Sequence, residues 1–174
     1  MFDNLERLNI DKDNIEKFED RIIRKYKMPL LLLKVNYPGV NRSNDITNNI
    51  IENIDELLSD IFSLFIHFKM LRITSEGPVL LMAIDKEARD IKEITIQIEE
   101  KHILGKCVNI DIFNPNNEKI SRTQLGYKPR KCFICDVNAE ECMEQNTHRR
   151  DEIIQYIVNT YREYMESFHG KKEQ

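Results

Sequence analysis

Several residue types and sequence features are scarce in this chain. Its 174 residues include no tryptophan, five glycines, five prolines and only four cysteines. So few glycines and prolines exclude long flexible linkers. The longest apolar run covers only 78–84, whereas a membrane-spanning helix needs roughly 20 apolar residues. The charged N-terminus also has no apolar segment of the signal-peptide type. The sequence therefore predicts a cytoplasmic protein that does not enter a membrane.

An excess of positive charge is also missing. The 26 basic and 30 acidic residues give a net charge of −4, so nucleic acid and anionic membranes are not expected partners. Hydrophobic residues make up 41% and charged residues 32%, which is typical of a folded domain. We expect a single domain over 1–174. Within it, an α+β core with the catalytic region covers 25–131, and a Cys/His segment with the C-terminal helix covers 132–168.

Hydrophobic periodicity predicts both helices and strands. Helices are predicted over 11–26, 46–65, 86–100 and 151–168, with a frayed tail over 169–174. Strands are predicted over 29–36, 71–74, 79–84 and 108–113. Ser43 or Asn44 can cap the second helix, and the short turn before 79 predicts a hairpin. The segment 86–100 also alternates like a strand, but its helix-forming residues favour a helix.

The order of these elements predicts the fold class. From residue 29 to residue 113 the order is strand, helix, strand, strand, helix, strand. This is the order of the split βαβ, or ferredoxin-like, arrangement. Its first and third strands are central, and those are the two most apolar runs here. We therefore predict an α+β, two-layer antiparallel sheet with helices on one face, to which N- and C-terminal helices are added.

Asn109 and Asp111 are two residues apart on a predicted strand. Side chains alternate along a strand, so these two point to the same face. Oxygen ligands placed in this way can share a hard cation such as Mg²⁺. In nucleotidyl transfer such a cation neutralises the charge of the leaving polyphosphate. The same short pattern also arises at a solvent-facing strand edge, which is the simpler interpretation.

A basic loop and a histidine lie close to this strand in the sequence. The loop 121–131 contains Arg122, Lys128, Arg130 and Lys131 and no acidic residue. Arginine and lysine are natural partners of a polyphosphate, although a solvated loop has the same composition. His102 precedes a Leu-Gly turn a few residues before Asn109. It is a candidate for binding phosphate or for general acid–base catalysis.

Three cysteines and a histidine follow within seventeen residues. They are Cys132, Cys135, Cys142 and His148, separated by two, six and five residues. Three thiolates and an imidazole can form a closed tetrahedral zinc site. Three buried thiols that only pack a helical hairpin are the alternative. A redox role for the CxxC pair is disfavoured because the βαβ context of thioredoxin is missing.

Taken in order, these segments resemble the citrate lyase holo-acyl-carrier-protein synthase family (CitX), also called apo-citrate lyase phosphoribosyl-dephospho-CoA transferase. Each motif alone is weak, but the ordered set is fairly specific and spans roughly 25–155. The matching segments are Gly77-Pro78, Ala88–Lys92, His102–Asp111, Ser121-Arg122, Arg130–Cys135, Cys142 and Thr147-His148.

The resemblance implies a nucleotidyltransferase and its site residues. Such an enzyme transfers the phosphoribosyl-dephospho-CoA group from triphosphoribosyl-dephospho-CoA to a serine of the citrate lyase acyl carrier protein and releases diphosphate. Asp111 and Asn109 would hold Mg²⁺, and His102 would assist proton transfer or bind phosphate. The residues that would bind the triphosphate are Arg89, Lys106, Arg122 and Arg130.

The chain departs from the family pattern where the chemistry is expected. Asn109 stands in place of an aspartate and brings no negative charge to a metal. Lys106 stands in place of an arginine and cannot reproduce a bidentate guanidinium contact. Ile103 and Val108 replace a proline and a tryptophan. A diverged or non-catalytic member that binds a nucleotide or a carrier protein is therefore the alternative function.

Overall fold

The chain forms an α+β fold around one sheet. The structure is a computed structural model that describes residues 9–10, 12–39, 42–74 and 77–169. The strands are β1 (Asn9–Ile10), β2 (Leu30–Val35), β3 (Ile66–Thr74), β4 (Gly77–Ile84) and β5 (Val108–Phe113). The helices are α1 (Lys12–Tyr26), α2 (Asp45–Ile61), α3 (Ala88–Lys101), α4 (Ala139–Glu144) and α5 (Arg150–His169). The tip of the predicted hairpin turn and most of the predicted tail lie outside the described residues.

The four strands β2–β5 form an antiparallel sheet, to which β1 adds a short parallel edge. The order across the sheet is β1-β3-β4-β2-β5, so the two most apolar strands, β2 and β4, are the inner neighbours. All eight residues of β4 are buried. The strands β3 and β4 pair antiparallel up to Thr74 and Gly77, as expected for a hairpin. The strand β5 pairs with β2 on one side only and is an edge of the sheet.

Helices cover both faces of the sheet, which corrects the prediction of two layers with helices on one face. The helices α2, α3 and α5 cover the first face, on which Leu31, Leu33 and Met82 lie. The helix α1 covers the second face and packs on Leu30 and Leu32. Because β2 is apolar at both odd and even positions, each face needs a cover. The apolar stripe of the N-terminal helix provides the second one.

The helix α2 begins where the sequence predicts and ends earlier than predicted. The Asn44 side chain accepts a hydrogen bond of 3.1 Å from the Thr47 amide, and the Thr47 hydroxyl accepts one of 3.0 Å from the Asn44 amide. This reciprocal capping box fixes the first turn. The helix ends at Ile61, and β3 already begins at Ile66. The prediction of a helix up to residue 65 was wrong because pairing with the long β4 extends β3 backwards.

The helices α3 and α5 complete the first face. The segment 86–100 is a helix, as preferred from its composition. Ile157 and Tyr164 of α5 are buried in the core on this face. The Tyr164 hydroxyl donates a hydrogen bond of 3.0 Å to the Asn53 side chain and ties α5 to α2. None of the helices in the described ranges is both long and apolar enough to cross a membrane.

Candidate functional site

The side chains of Asn109 and Asp111 lie on the α1 face of the sheet. Burial alternates along β5, and its buried residues Ile110 and Ile112 belong to the core of the opposite face. Asn109 is paired with Lys34 across the ladder to β2. The Lys119 ammonium lies 2.9 Å from a carboxylate oxygen of Asp111. The predicted oxygen pair therefore has basic side chains on both sides.

A second acidic residue, which the sequence analysis did not identify, faces the same side of the sheet. Glu19 lies on the core-facing stripe of α1, four residues after Ile15, and only 7% of it is exposed. Burial raises the pKa of Glu19 to about 7, the Lys34 charge lowers it, and the carboxylates of Glu16 and Asp111 raise it. Glu19 is thus coupled electrostatically to the charges around Asp111.

The free edge of β5 is covered by two buried charged residues of α3. The Ile110 amide donates a hydrogen bond of 3.0 Å to the Glu99 carboxylate, and the Lys92 ammonium donates one of 2.6 Å to the Ile110 carbonyl. An edge strand otherwise leaves such groups unpaired. Burial lowers the pKa of Lys92, while the charges of Glu99 and Asp111 oppose that shift. These contacts hold the strand that carries Asp111.

Two of the predicted triphosphate-binding arginines converge on Glu99. Arg122 lies 3.6 Å and Arg130 lies 3.5 Å from the Glu99 carboxylate oxygens. Arg122 also contacts Glu100 at 3.0 Å, and Arg130 donates a hydrogen bond of 3.0 Å to the Lys106 carbonyl. Both arginine side chains are mostly buried. We use the term "β5 charged edge" for the set Lys92, Glu99, Asp111, Arg122 and Arg130.

His102 lies away from Asn109 and Asp111, on the face covered by α2, α3 and α5. Its Nδ1 atom accepts a hydrogen bond of 3.2 Å from the Leu104 amide. Its ring centroid is 5.5 Å from that of Tyr164, and burial lowers its pKa. The imidazole borders a shallow depression of about 390 Å³ whose walls include Ile94 and Lys101.

The two remaining predicted basic residues are exposed. Arg89 lies in the first turn of α3, where its side chain is 3.3 Å from the Glu93 carboxylate. Lys106 lies in the 3₁₀ segment Ile103–Cys107. That segment packs tightly on the end of α3, because a Cβ at Gly105 would overlap the carbonyl oxygen of Ile98. The side chains of Arg89, Lys106 and His102 therefore lie apart from the β5 charged edge.

The cysteines and the histidine of the C-terminal region do meet. We use the term "Cys/His cluster" for Cys132, Cys135, Cys142 and His148, whose donor atoms all lie within 4.8 Å of one another. The sulfurs of Cys135 and Cys142 are 3.8 Å apart. A tetrahedral ion with zinc–sulfur bonds of about 2.3 Å separates two sulfurs by about 3.8 Å. The donor atoms are therefore spaced for a tetrahedral metal.

The two ring nitrogens of His148 have different surroundings. Its Nδ1 atom lies 3.7 Å from the Glu152 carboxylate. Its Nε2 atom is buried and has no hydrogen-bond partner among the described residues. A buried polar atom without a partner is costly, and a metal would satisfy it. A carboxylate at the other nitrogen is the usual support of a metal-bound imidazole. These observations fit a metal better than packed thiols alone.

A compact local structure brings the cluster together. The turn after Cys132 closes through hydrogen bonds between its amide and the Val137 carbonyl, at 2.7 Å, and between the Asp136 amide and its carbonyl, at 3.1 Å. Asn138 caps α4, which carries Cys142. Burial opposes ionisation of Cys132, but hydrogen bonds from the Cys135 and Ile134 amides and from the Cys142 and Cys135 side chains together outweigh it and lower its pKa to about 7.

Comparison with known proteins agrees with the resemblance seen in the sequence. Residues 4–164 match the family model described as apo-citrate lyase phosphoribosyl-dephospho-CoA transferase. Proteins of that name from Shigella boydii serotype 18, Escherichia coli O157:H7 and Shigella flexneri serotype 5b are each 25% identical to the chain over 154 residues. Each alignment covers 87% of this chain and 84% of the relative. This chain therefore belongs to the apo-citrate lyase phosphoribosyl-dephospho-CoA transferase (CitX) family.

Proposed function

We propose that this chain is a nucleotidyltransferase that attaches the phosphoribosyl-dephospho-CoA group to a serine of the citrate lyase acyl carrier protein. The donor is triphosphoribosyl-dephospho-CoA, and the second product is diphosphate. The observation that carries the proposal is the family match, which extends over residues 4–164 rather than over one motif. The convergence of basic side chains at β5 supports it, because the donor is a polyphosphate.

In the proposed reaction the serine oxygen of the carrier bonds to the phosphorus nearest the ribose. The bond from that phosphorus to the diphosphate oxygen breaks, and the serine proton is released. Asn109 and Asp111 would hold Mg²⁺, which would neutralise charge on the leaving diphosphate. Arg122 and Arg130, at the same strand edge, would bind the triphosphate, and Lys106 and Arg89, whose side chains lie apart from that edge, would contact other parts of the donor. Positive charge that is already in place needs little reorganisation when the diphosphate leaves.

His102 receives a binding role in this proposal, since its imidazole lies on the opposite face of the sheet from Asp111. A general base must come within hydrogen-bond reach of the proton that it takes. His102 and Lys101 border one depression instead, and there they would contact a more distant part of the donor or the carrier.

The Cys/His cluster is proposed to bind a structural zinc ion. All four donors come from the protein, so no coordination position is left for a substrate, which is typical of structural sites. Metal analysis of the purified chain should give one zinc per molecule. Cys142→Ser should lower that content, whereas Cys107→Ser, which changes a buried cysteine outside the cluster, should not. Absence of zinc from the wild-type protein would contradict the proposal.

Mass spectrometry of the carrier tests the transfer reaction. Incubation of the apo carrier with this chain, the donor and Mg²⁺ should add the mass of the prosthetic group. Asp111→Ala should abolish the gain, and Asp151→Asn, an exposed change at the start of α5, should leave it intact. Asn109→Asp should speed the reaction if the amide weakens the metal site. A carrier of unchanged mass after incubation with concentrated wild-type enzyme would favour the non-catalytic alternative.

A further inference from the structure

Glu99 contacts two arginines and the backbone of β5 with one buried carboxylate, and the proposed reaction assigns it no role. Only 5% of its side chain is exposed. Its Oε1 atom accepts the hydrogen bond from the Ile110 amide and lies 3.5 Å from Nη1 of Arg130. Its Oε2 atom lies 3.6 Å from Nη2 of Arg122. Each oxygen of the carboxylate therefore contacts a different arginine.

The hydrogen bond to Ile110 relates the two arginines to the proposed reaction centre. Ile110 lies between Asn109 and Asp111 on β5. A carboxylate that accepts a hydrogen bond from this amide has a fixed position along the strand. The guanidinium groups that contact the carboxylate are placed by the same hydrogen bond. Glu99 thus fixes both arginines relative to the strand that carries Asp111.

The contacts of the two arginines leave N–H groups for an anion. Both distances to Glu99 exceed the usual N–H···O hydrogen bond of about 2.7–3.2 Å, so the attraction is mainly that between opposite charges. Glu99 is also the only carboxylate that Arg130 contacts in the described part of the chain. A guanidinium group has several N–H donors in a fixed plane. Donors therefore remain on both side chains for the oxygens of a phosphate.

We propose that Glu99 is a positioning residue that orients Arg122 and Arg130 for the diphosphate part of the donor. This inference rests on the proposed function, because it concerns the triphosphate-binding arginines assigned there. A long arginine side chain loses rotamer freedom when it binds a phosphate, and a side chain that is already held loses less. Because Glu99 is buried and bound to the strand, it is a rigid support for both guanidinium groups.

Binding of inorganic diphosphate to the full-length protein tests the inference without the carrier. Glu99→Asp keeps the charge but withdraws the carboxylate by one methylene group, so the Kd from isothermal titration calorimetry should rise about tenfold or more. Glu93→Asp makes the same change on the same helix at a carboxylate that pairs with Arg89, and it should change the Kd by less than about twofold. An unchanged Kd in Glu99→Asp would overturn the inference, and so would a wild-type protein that binds no diphosphate.

A second variant separates orientation of the arginines from compensation of their charge. Glu99→Gln removes the charge and retains an oxygen that can accept the hydrogen bond from Ile110. If Glu99 only neutralised the arginines, its loss would raise the positive potential, and diphosphate would bind more tightly. If Glu99 orients them, the Kd should rise several-fold although a negative charge has been removed. Tighter binding by Glu99→Gln would contradict the proposal.

A double-mutant cycle separates a positioning residue from one that only stabilises the fold. Arg130→Lys keeps the charge and loses the planar guanidinium group, so it should weaken diphosphate binding by the wild-type protein. In the Glu99→Asp background Arg130 is already misplaced, and the same change should add less than about twofold. Circular dichroism confirms that the variants are folded at the assay temperature, and Glu99→Gln replaces Glu99→Asp in the cycle if the latter does not fold. Independent effects of the two changes would identify Glu99 as structural and contradict the proposal.

The two hypotheses fail in different ways. Glu99-dependent binding of diphosphate, combined with an apo carrier that gains no mass, supports the positioning role and contradicts the transferase function. Normal transfer by the wild-type protein, combined with an unchanged Kd in Glu99→Asp, contradicts the positioning role alone and leaves the transferase function intact.

Discussion

The Cys/His cluster and the β5 charged edge are assembled in opposite ways. The cluster comes from a single stretch of seventeen residues, in which one turn and the short helix α4 bring the four donors together. The charged edge draws Lys92 and Glu99 from α3, Asp111 from β5 and the two arginines from a later loop. One set is local in the sequence, and the other exists only once the sheet has formed.

This difference affects what holds each region in place. The described residues of 131–149 contribute only Cys132 and Cys142 to the buried hydrophobic residues. Their order therefore depends on turn hydrogen bonds, on the contact between the Phe133 and Tyr156 rings, and on any ion bound by the four donors. The charged edge lies against buried core residues and uses charges to satisfy the backbone of β5. Removing a bound ion should disturb the Cys/His cluster, and removing a charged side chain should disturb the β5 charged edge.

The largest effect is expected from the removal of the Glu99 charge. Only 5% of this side chain is exposed, and two arginines contact it. Removing one partner of a buried ion pair leaves the other charges uncompensated, so Glu99→Gln should lower the free energy of unfolding by about 3 kcal/mol. Urea denaturation measures this change.

The matched control is Glu100→Gln, which removes the neighbouring carboxylate that also contacts Arg122. Its side chain is 47% exposed, so its removal should cost less than about 1 kcal/mol. An equal decrease in the free energy of unfolding in the two variants would show that a buried carboxylate does not hold the β5 charged edge. The proposed difference between this edge and the Cys/His cluster would then be wrong.

Metal removal should give a large but local effect. If the cluster binds zinc, chelation should speed amide hydrogen exchange about 100-fold over 132–148, which corresponds to about 3 kcal/mol of local stability. Exchange in β2 and β4 should stay slow, because none of the ligands comes from those strands. Hydrogen exchange followed by mass spectrometry measures both regions together. Loss of protection throughout the sheet would show that the cluster is not a local unit.

The contrast also explains what the sequence could predict. All four members of the Cys/His cluster were identified as one set, because a local turn only needs the correct spacing along the chain. The inner strands β2 and β4 were predicted from their continuous apolar runs, which reflect burial on both faces. The cover on the second face was missed, because periodicity identifies an apolar helix stripe without telling which side of the sheet it covers.

The partners in the charged edge were missed for a related reason. Lys92 and Glu99 were counted as helix-forming residues, whereas the structure buries both against Ile110. Their seven-residue spacing places them on one face of the helix. Charged residues on a face that is otherwise buried are the feature of the sequence that could have indicated buried ion pairs. Glu19, four residues after Ile15, gave the same signal in α1. Which strand such residues contact depends on the tertiary structure and cannot be predicted from their spacing alone.

A smaller effect is expected from acid, through His102. Burial lowers the pKa of this imidazole in the folded state. Below pH about 6.5 the unfolded chain therefore binds more protons than the folded chain, and stability falls as the pH drops towards the folded-state pKa. Protonation also removes the acceptor of the Leu104 amide hydrogen bond.

His102→Asn tests this pH dependence, because asparagine can accept the same amide hydrogen bond and does not titrate. Among the described residues, Lys101 borders the same depression as His102, and the Tyr164 ring lies 5.5 Å from the imidazole. The variant should lose less stability than the wild-type protein as the pH drops from 7 to 5 in urea denaturation. Identical pH profiles would show that another group is responsible.

The smallest effect on stability is expected at Arg89, which belongs to neither region. Its only described ion pair is the exposed contact with Glu93, so Arg89→Ala should change the free energy of unfolding by less than about 0.5 kcal/mol. If Arg89 binds the triphosphate, the KM for the donor should still rise several-fold, because a charge-assisted contact is lost. Glu93→Ala breaks the same ion pair, keeps the guanidinium and should leave KM unchanged. A rise in KM for both variants would mean that the ion pair, rather than Arg89 itself, supports donor binding. A normal KM in Arg89→Ala would restrict the donor site to the strand edge, where Arg122 and Arg130 already meet.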